Sequence, residues 1–207
     1  KEIFIPFTVG GGINSIEMIQ DILNLGADKV SLNTAALHHP QLIQEAADHF
    51  GSQCIVVAVD IKRLVSEHSP IFSSKPEYAS LASTSQTICE VYSHGGRKNL
   101  GLDALKWIQY CEELGAGEIL LTSMDKDGTQ DGYDIEMLSN VKSLVSIPVI
   151  ASGGAGSFSH IYDAMQVSDA ALLASILHYG TLSIQDIKSK LLSLSVPIRS
   201  QRAVNKD

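Results

Sequence analysis

The sequence lacks the patterns that announce several common chemistries. It has no CxxC pair, no HxH and no HExxH, so neither a redox dithiol nor a spaced zinc site is written into it. Cys54, Cys89 and Cys111 are an odd number without metal spacing and read as reduced thiols of a cytoplasmic protein. No apolar run reaches the length of a membrane span, and no secretory leader pattern is visible. Positive charge is scarce as well. The 15 Lys and Arg face 23 Asp and Glu, giving a formal net charge of -8, which argues against a broad grip on a nucleic-acid backbone. That deficit leaves a small phosphorylated ligand open, because backbone amides at a helix start bind anions without net positive charge.

What is present is a repeat. Ile147–Gly156, IPVIASGGAG, echoes Ile5–Ile13, IPFTVGGGI: an Ile-Pro opening, a β-prone run, then glycines. Downstream, Asn33 in VSLNTA follows Gly12 at the same spacing as Ser175 in ALLASI follows Gly154. A duplicated unit of strand, Gly-Gly turn, helix, strand and small polar residue is the signature of two half-barrels.

With 207 residues and 44% hydrophobic content, the chain can bury one sizeable core. Strands are expected at Ile3–Val9, Lys29–Leu32, Cys54–Val59, Glu118–Thr122, Val149–Ala151 and Ala170–Ala174. Helices are expected at Ser15–Leu25, from Pro40 to Phe50, and at Leu102–Leu114, Ile135–Val145, Ser159–Val167 and Ser183–Leu194. The nearly unbroken apolar run Cys54–Val59 suits a strand covered on both faces. Six such strands alternating with helices predict an α/β fold, a (β/α)8 TIM-type barrel of which this chain supplies strands three to eight. The chain opens at Lys1 and enters a strand at once, so the two remaining units are expected upstream. We expect a single barrel domain over 1–199, a polar tail at 200–207 and an insertion at about 64–90. That insertion, rich in Ser with Pro70 and Pro76 and with a strand-like stretch only at Ile88–Tyr92, reads equally as a lid or as a surface elaboration.

In such barrels the chemistry sits at the C-terminal ends of the strands. Gly11, Gly12, Asn33 and Thr34 form one candidate phosphate cradle, and Gly153, Gly154 and Ser175 the other. Two cradles at one mouth suit a ligand phosphorylated at both ends. Asp60 closes an apolar strand, where partial burial lifts a carboxylate pKa, and is a candidate general acid/base. Asp127 follows the strand Glu118–Thr122. Asp125, Asp127 and Asp131 alternate as in a calcium loop, but no Glu stands at the twelfth position, and no metal or cofactor is expected. The isolated histidines and Trp107 read as surface or packing residues.

The segments FIPFTVGGGI, GADKVSLNTAAL, FGSQCIVVAVDIKR, GGRKNLGLDA, GAGEILLTSMDKDGTQDGYD, IPVIASGGAG and DAALLASILHYG together resemble the cyclase subunit of imidazole glycerol phosphate synthase, from histidine biosynthesis. The resemblance implies a lyase that condenses ammonia from a glutaminase partner with a bisphosphorylated ribulosyl-formimino carboxamide nucleotide, in a heterodimer carrying an ammonia channel. By position it implies catalytic roles for Asp60 and Asp127. It places one phosphate on Gly12, Asn33 and Thr34, and the other on Gly128, Thr129, Gly154, Ala174 and Ser175. At the opposite pole it assigns Lys29 and Glu118 to the ammonia gate and Gln53 to the partner face. The family's strand-one aspartate has no counterpart between Lys1 and Asp207, so little cyclase activity is expected of these residues alone. Two further readings are a non-catalytic barrel fragment that binds phosphates or the glutaminase, and the aldose-ketose isomerase of the same pathway.

Overall fold

The computed structural model describes residues 5–64 and 76–199. Along them run β1 (Thr8–Gly10), α1 (Ile16–Asn24), β2 (Lys29–Leu32), α2 (Thr34–His38), α3 (Gln41–Phe50), β3 (Ile55–Arg63), β4 (Cys89–Ser93) and β5 (Lys98–Asp103). There follow α4 (Ala104–Glu113), β6 (Glu118–Ser123), α5 (Ile135–Leu144), β7 (Val149–Ser152), α6 (Phe158–Val167), β8 (Ala170–Ala171), α7 (Ser175–His178) and α8 (Ile184–Ser193). The sheet order is β1-β2-β3-β6-β7-β8, with every neighbouring pair parallel. Parallel neighbours need a crossover, and here the crossovers carry helices. The fold is α/β, the curled strand run of a TIM-type (β/α)8 barrel, with the six βα units expected.

The helices begin where side chains can take orphan amides. Ser15, Asp103, Asp134, Ser157 and Ser183 each accept from a backbone N–H in the first turn that follows. Ile55, Val56, Val57 and Val59 of β3 are all buried, as a strand covered on both faces requires, and Trp107 of α4 is fully buried in the same core.

Several expected boundaries move. β1 is confined to Thr8–Gly10 among the described residues, and Ile5 is exposed. Asp60 does not end its strand. β2 pairs β3 only over Ile55–Val57, and β4 takes up the vacated edge over Asp60–Arg63, so β3 runs three residues further. The strand-like stretch at Ile88–Tyr92 forms β4 and pairs antiparallel with a further strand, β5, which takes the first residues expected of a helix at Leu102. Asp103 closes β5 and caps α4, so that helix begins at Ala104. β8 keeps only Ala170–Ala171 of the expected Ala170–Ala174, and the short α2 precedes the helix expected from Pro40.

The described part of the insertion is neither a free lid nor a surface decoration. Tyr78, in a 3-10 turn at Pro76–Leu81, is fully buried, and its hydroxyl donates to Leu37 O at 2.8 Å. Ala82 bridges to Leu102, and Thr87 Oγ1 donates to Asp103 Oδ2 at 2.6 Å. Residues 76–88 thus form a strap docked along β5 and under α2. The rest of the insertion, 65–75, and the tail at 200–207 lie outside the described residues.

Candidate functional site

The first cradle assembles where β1, β2 and β3 point their C-terminal ends. Gly11 and Gly12 turn there with φ of 96° and 75°, and a Cβ on either would meet nothing within 4 Å. Glycine is required by conformation at these two positions, and the space above them is free. The turn, Asn33, Thr34 and Asp60 line one cavity of about 680 Å³. Asn33 precedes α2 with the unusual pair φ -136°, ψ -95° and makes no capping bond with its side chain. Its Nδ2 donates instead to Asp60 Oδ2 at 3.1 Å. Burial pushes the Asp60 carboxyl above its ordinary pKa, against the Asn33 hydrogen bond, and the negative charge of Asp127 pushes it further the same way. Thr34 Oγ1 accepts from the His94 amide at 3.2 Å, a bond that does not use its own proton.

The second cradle sits beyond β6, β7 and β8. Asp127, Gly128, Gly153, Gly154, Ala174 and Ser175 line a smaller cavity of about 50 Å³. Gly153 and Gly154 take φ of 92° and 103°, matching Gly11 and Gly12, but here the glycines are also crowded. A Cβ would stand 2.8 Å from Ser123 O at Gly153 and 2.1 Å from Gly132 O at Gly154. Close approach of the β6–α5 connection is therefore a second demand on this pair. Ala174, before α7, repeats the Asn33 backbone with φ -123°, ψ -88°. This corrects the repeat by one residue: Asn33 corresponds to Ala174 and Thr34 to Ser175. The second copy is one residue shorter between its helix cap, Ser157 against Ser15, and its strand. Thr129 lies apart from this cavity's lining; its hydroxyl donates to Lys126 O at 2.8 Å within its own turn.

Residues 1–183 match the family described as histidine biosynthesis protein. The chain is 51% identical over 201 residues to the imidazole glycerol phosphate synthase subunit HisF of Microcystis aeruginosa, covering 96% of this chain and 72% of that one. It is 54% identical to the HisF subunit of Prochlorococcus marinus strain NATL1A over the same 96%, with 72% of that chain covered. Against the HisF subunit of Methanococcus vannielii identity is 47%, again over 96% of this chain and 74% of that one. The chain belongs to the HisF branch of this family.

In this HisF-type chain the opposite pole of the sheet carries the remaining candidates. Lys29 and Glu118 open β2 and β6, two strands separated by β3, and their side chains form a part-buried ion pair. Gln53 sits beside them, in the 3-10 turn Ser52–Cys54 that leads into β3, with its Nε2 donating to Phe50 O at 3.3 Å. The three cysteines are free thiols, Cys89 and Cys111 buried, and burial pushes the Cys89 thiol up to about 12. No helix among the described residues is long and apolar enough to cross a membrane. Among them, no group of three or more His, Cys, Asp or Glu is arranged to hold a metal ion.

The sequence reading missed several lining residues of the larger cavity, among them Asn14, Ser31, His38 and Gly95. Gly95 comes from the β4–β5 turn, where His94, Gly95 and Gly96 all have positive φ. The HGG triplet signalled a turn, but nothing local said that it would lie over Thr34.

Proposed function

We propose that this chain performs the ammonia-dependent cyclase/lyase step of imidazole glycerol phosphate synthase. A bisphosphorylated ribulosyl-formimino carboxamide nucleotide and ammonia give imidazole glycerol phosphate, aminoimidazole carboxamide ribotide and water. The observation that carries the reading is the pair of matched glycine turns at one end of the sheet, with Asp60 in one cavity and Asp127 in the other.

Each cradle offers backbone amides and a short helix start to one phosphate: Gly11, Gly12, Asn33 and Thr34 on one side, Gly128, Gly153, Gly154, Ala174 and Ser175 on the other, with Thr129 tied up within its own turn. The substrate spans the two, which brings its reacting carbons over Asp60. Addition of ammonia to a carbonyl needs a proton taken from nitrogen and one given to the departing oxygen. A carboxyl with a raised pKa suits the giving, and Asp127, beside the second cradle, suits the taking. Lys29 and Glu118 line the entrance for ammonia at the far pole, and Gln53 faces the glutaminase subunit that releases it. The setting is one barrel domain over 1–199, working in the cytoplasm as half of a heterodimer.

The test is the complete gene product supplied with the bisphosphorylated nucleotide and an ammonium salt. Formation of imidazole glycerol phosphate supports the reading. Tight binding of the nucleotide without turnover overturns it in favour of a binding role.

A further inference from the structure

Asp127 lies on the β6–α5 connection, a stretch with little regular structure that must nevertheless hold a carboxylate in place relative to β3. The connection is fastened to its neighbours at identifiable points. On the far side, Gly132 N donates to Gly154 O at 2.8 Å and Tyr133 Oη donates to Leu172 O at 2.9 Å, tying it to the ends of β7 and β8. On the near side, Met124 N donates to Ile61 O at 2.9 Å, and Arg63 N donates to Asp125 Oδ2 at 2.8 Å.

Arg63 then reaches over the whole connection. Its Nη2 donates to Asp134 Oδ1 at 2.9 Å and to Glu136 Oε2 at 2.8 Å. Asp134 is the N-cap of α5, takes Met137 N at 3.2 Å on that same oxygen, and is only 6% exposed. Its other oxygen, Oδ2, is buried and has no hydrogen-bond partner among the described residues. A buried carboxylate so placed depends on its remaining partners, and Arg63 is the cationic one among the described residues. One residue at the end of β3 thus grips the connection at both ends, through its main chain at Asp125 and through its side chain at Asp134.

Resting on the function proposed above, we infer that Arg63 is a positioning residue, which holds the Asp127-bearing connection in register with the Asp60-bearing strand. It is not among the residues that line either cavity. Asp60 and Arg63 share β3, so the guanidinium transfers the placement of one acid to the other. Both bonds leave the one nitrogen Nη2, whose two hydrogens are fixed in the guanidinium plane and so point in set directions; a lysine ammonium is a point charge on a flexible stem.

The complete gene product carrying Arg63→Ala tests this by two readouts. Hydrogen exchange of the 124–132 amides should quicken at least about tenfold, while the strand amides of β7 stay unchanged. Turnover with ammonium salt should fall about 10- to 100-fold, the size of effect that a displaced catalytic group produces, with KM altered less than about threefold. Arg63→Lys should recover part of both, and Glu136→Gln, at an exposed partner, should leave both near wild type. Unchanged exchange in Arg63→Ala overturns the inference, as does quickened exchange with wild-type turnover. A uniform loss of protection across β7 also overturns it, since that marks a general structural role. If the unsubstituted protein shows no turnover, the proposed function fails, and the exchange data still judge whether Arg63 holds the connection.

Discussion

Asn33 donates a hydrogen bond of 3.1 Å to Asp60, so the residue that opens α2 at the first cradle also orients the acid on β3. The bond favours the ionised carboxylate while burial opposes it. Asp60→Asn keeps the shape and an acceptor for Asn33 but removes the proton. Turnover should fall by roughly 10²- to 10⁴-fold, the usual range for one general acid or base. Affinity for the bisphosphorylated nucleotide, measured by calorimetry, should stay within a few-fold. A comparable loss of affinity would assign Asp60 a structural part instead.

The same substitution should raise stability at neutral pH. A carboxyl whose native pKa lies above its unfolded value contributes stability that is complete below the unfolded value. That contribution disappears as pH rises through the native one. At pH 7 Asp60 is therefore a burden on folding, and asparagine relieves it. Denaturant melts of Asp60→Asn should show a higher midpoint than wild type at pH 7. The gap should shrink as pH falls toward the ordinary aspartate value of about 3.9. A gap that widens on acidification would contradict the assigned direction.

The glycine pairs should respond differently to one methyl group. Gly12→Ala meets open space and incurs only the left-handed backbone penalty of about 1–2 kcal/mol. Gly154→Ala carries the same penalty at φ 103° and drives its Cβ to 2.1 Å from Gly132 O, so the β6–α5 connection must shift. Its destabilisation should exceed that of Gly12→Ala by at least about 1 kcal/mol, read by urea titration. Equal losses would mean that the two turns are held alike.

The docked strap makes a prediction about the insertion. Tyr78→Phe removes the hydroxyl that donates to the buried carbonyl of Leu37 and should cost about 1 kcal/mol. Tyr78→Ala leaves a large cavity and should cost roughly 3–5 kcal/mol. Thermal melts with no change in either variant would show that 76–88 contributes nothing to the core.

The strand order and the site's location could be read because each strand carries a local signal. Consecutive β-branched residues at Ile55–Val57 mark a strand buried on both faces, and the Gly-Gly pairs that follow β1 and β7 mark turns of bare backbone. The fate of Asp60 was not legible. Whether β3 stops there depends on β4, whose pairing was masked by the long serine-rich insertion. β5 was missed because Asp103 serves two elements and the helix signal of the residues after it spread backward over Leu102. The Asn33–Asp60 and Arg63–Asp134 contacts join residues 27 and 71 apart, and no periodicity encodes partners at such separations. The one-residue offset between the two halves was hidden because spacing was counted between glycine and polar residue, while the shorter link lies between helix cap and strand.

The shared backbone at Asn33 and Ala174 shows how twin halves can diverge in side chain while keeping one main-chain course. When an anion is held by main-chain atoms, the side chain at that point is at liberty. In one twin it is cut back to a methyl; in the other it has been enlisted to steer a carboxylate on the neighbouring strand. One main-chain course thus carries two unlike side chains, and only the half that kept the amide has its strand-borne carboxylate steered from there.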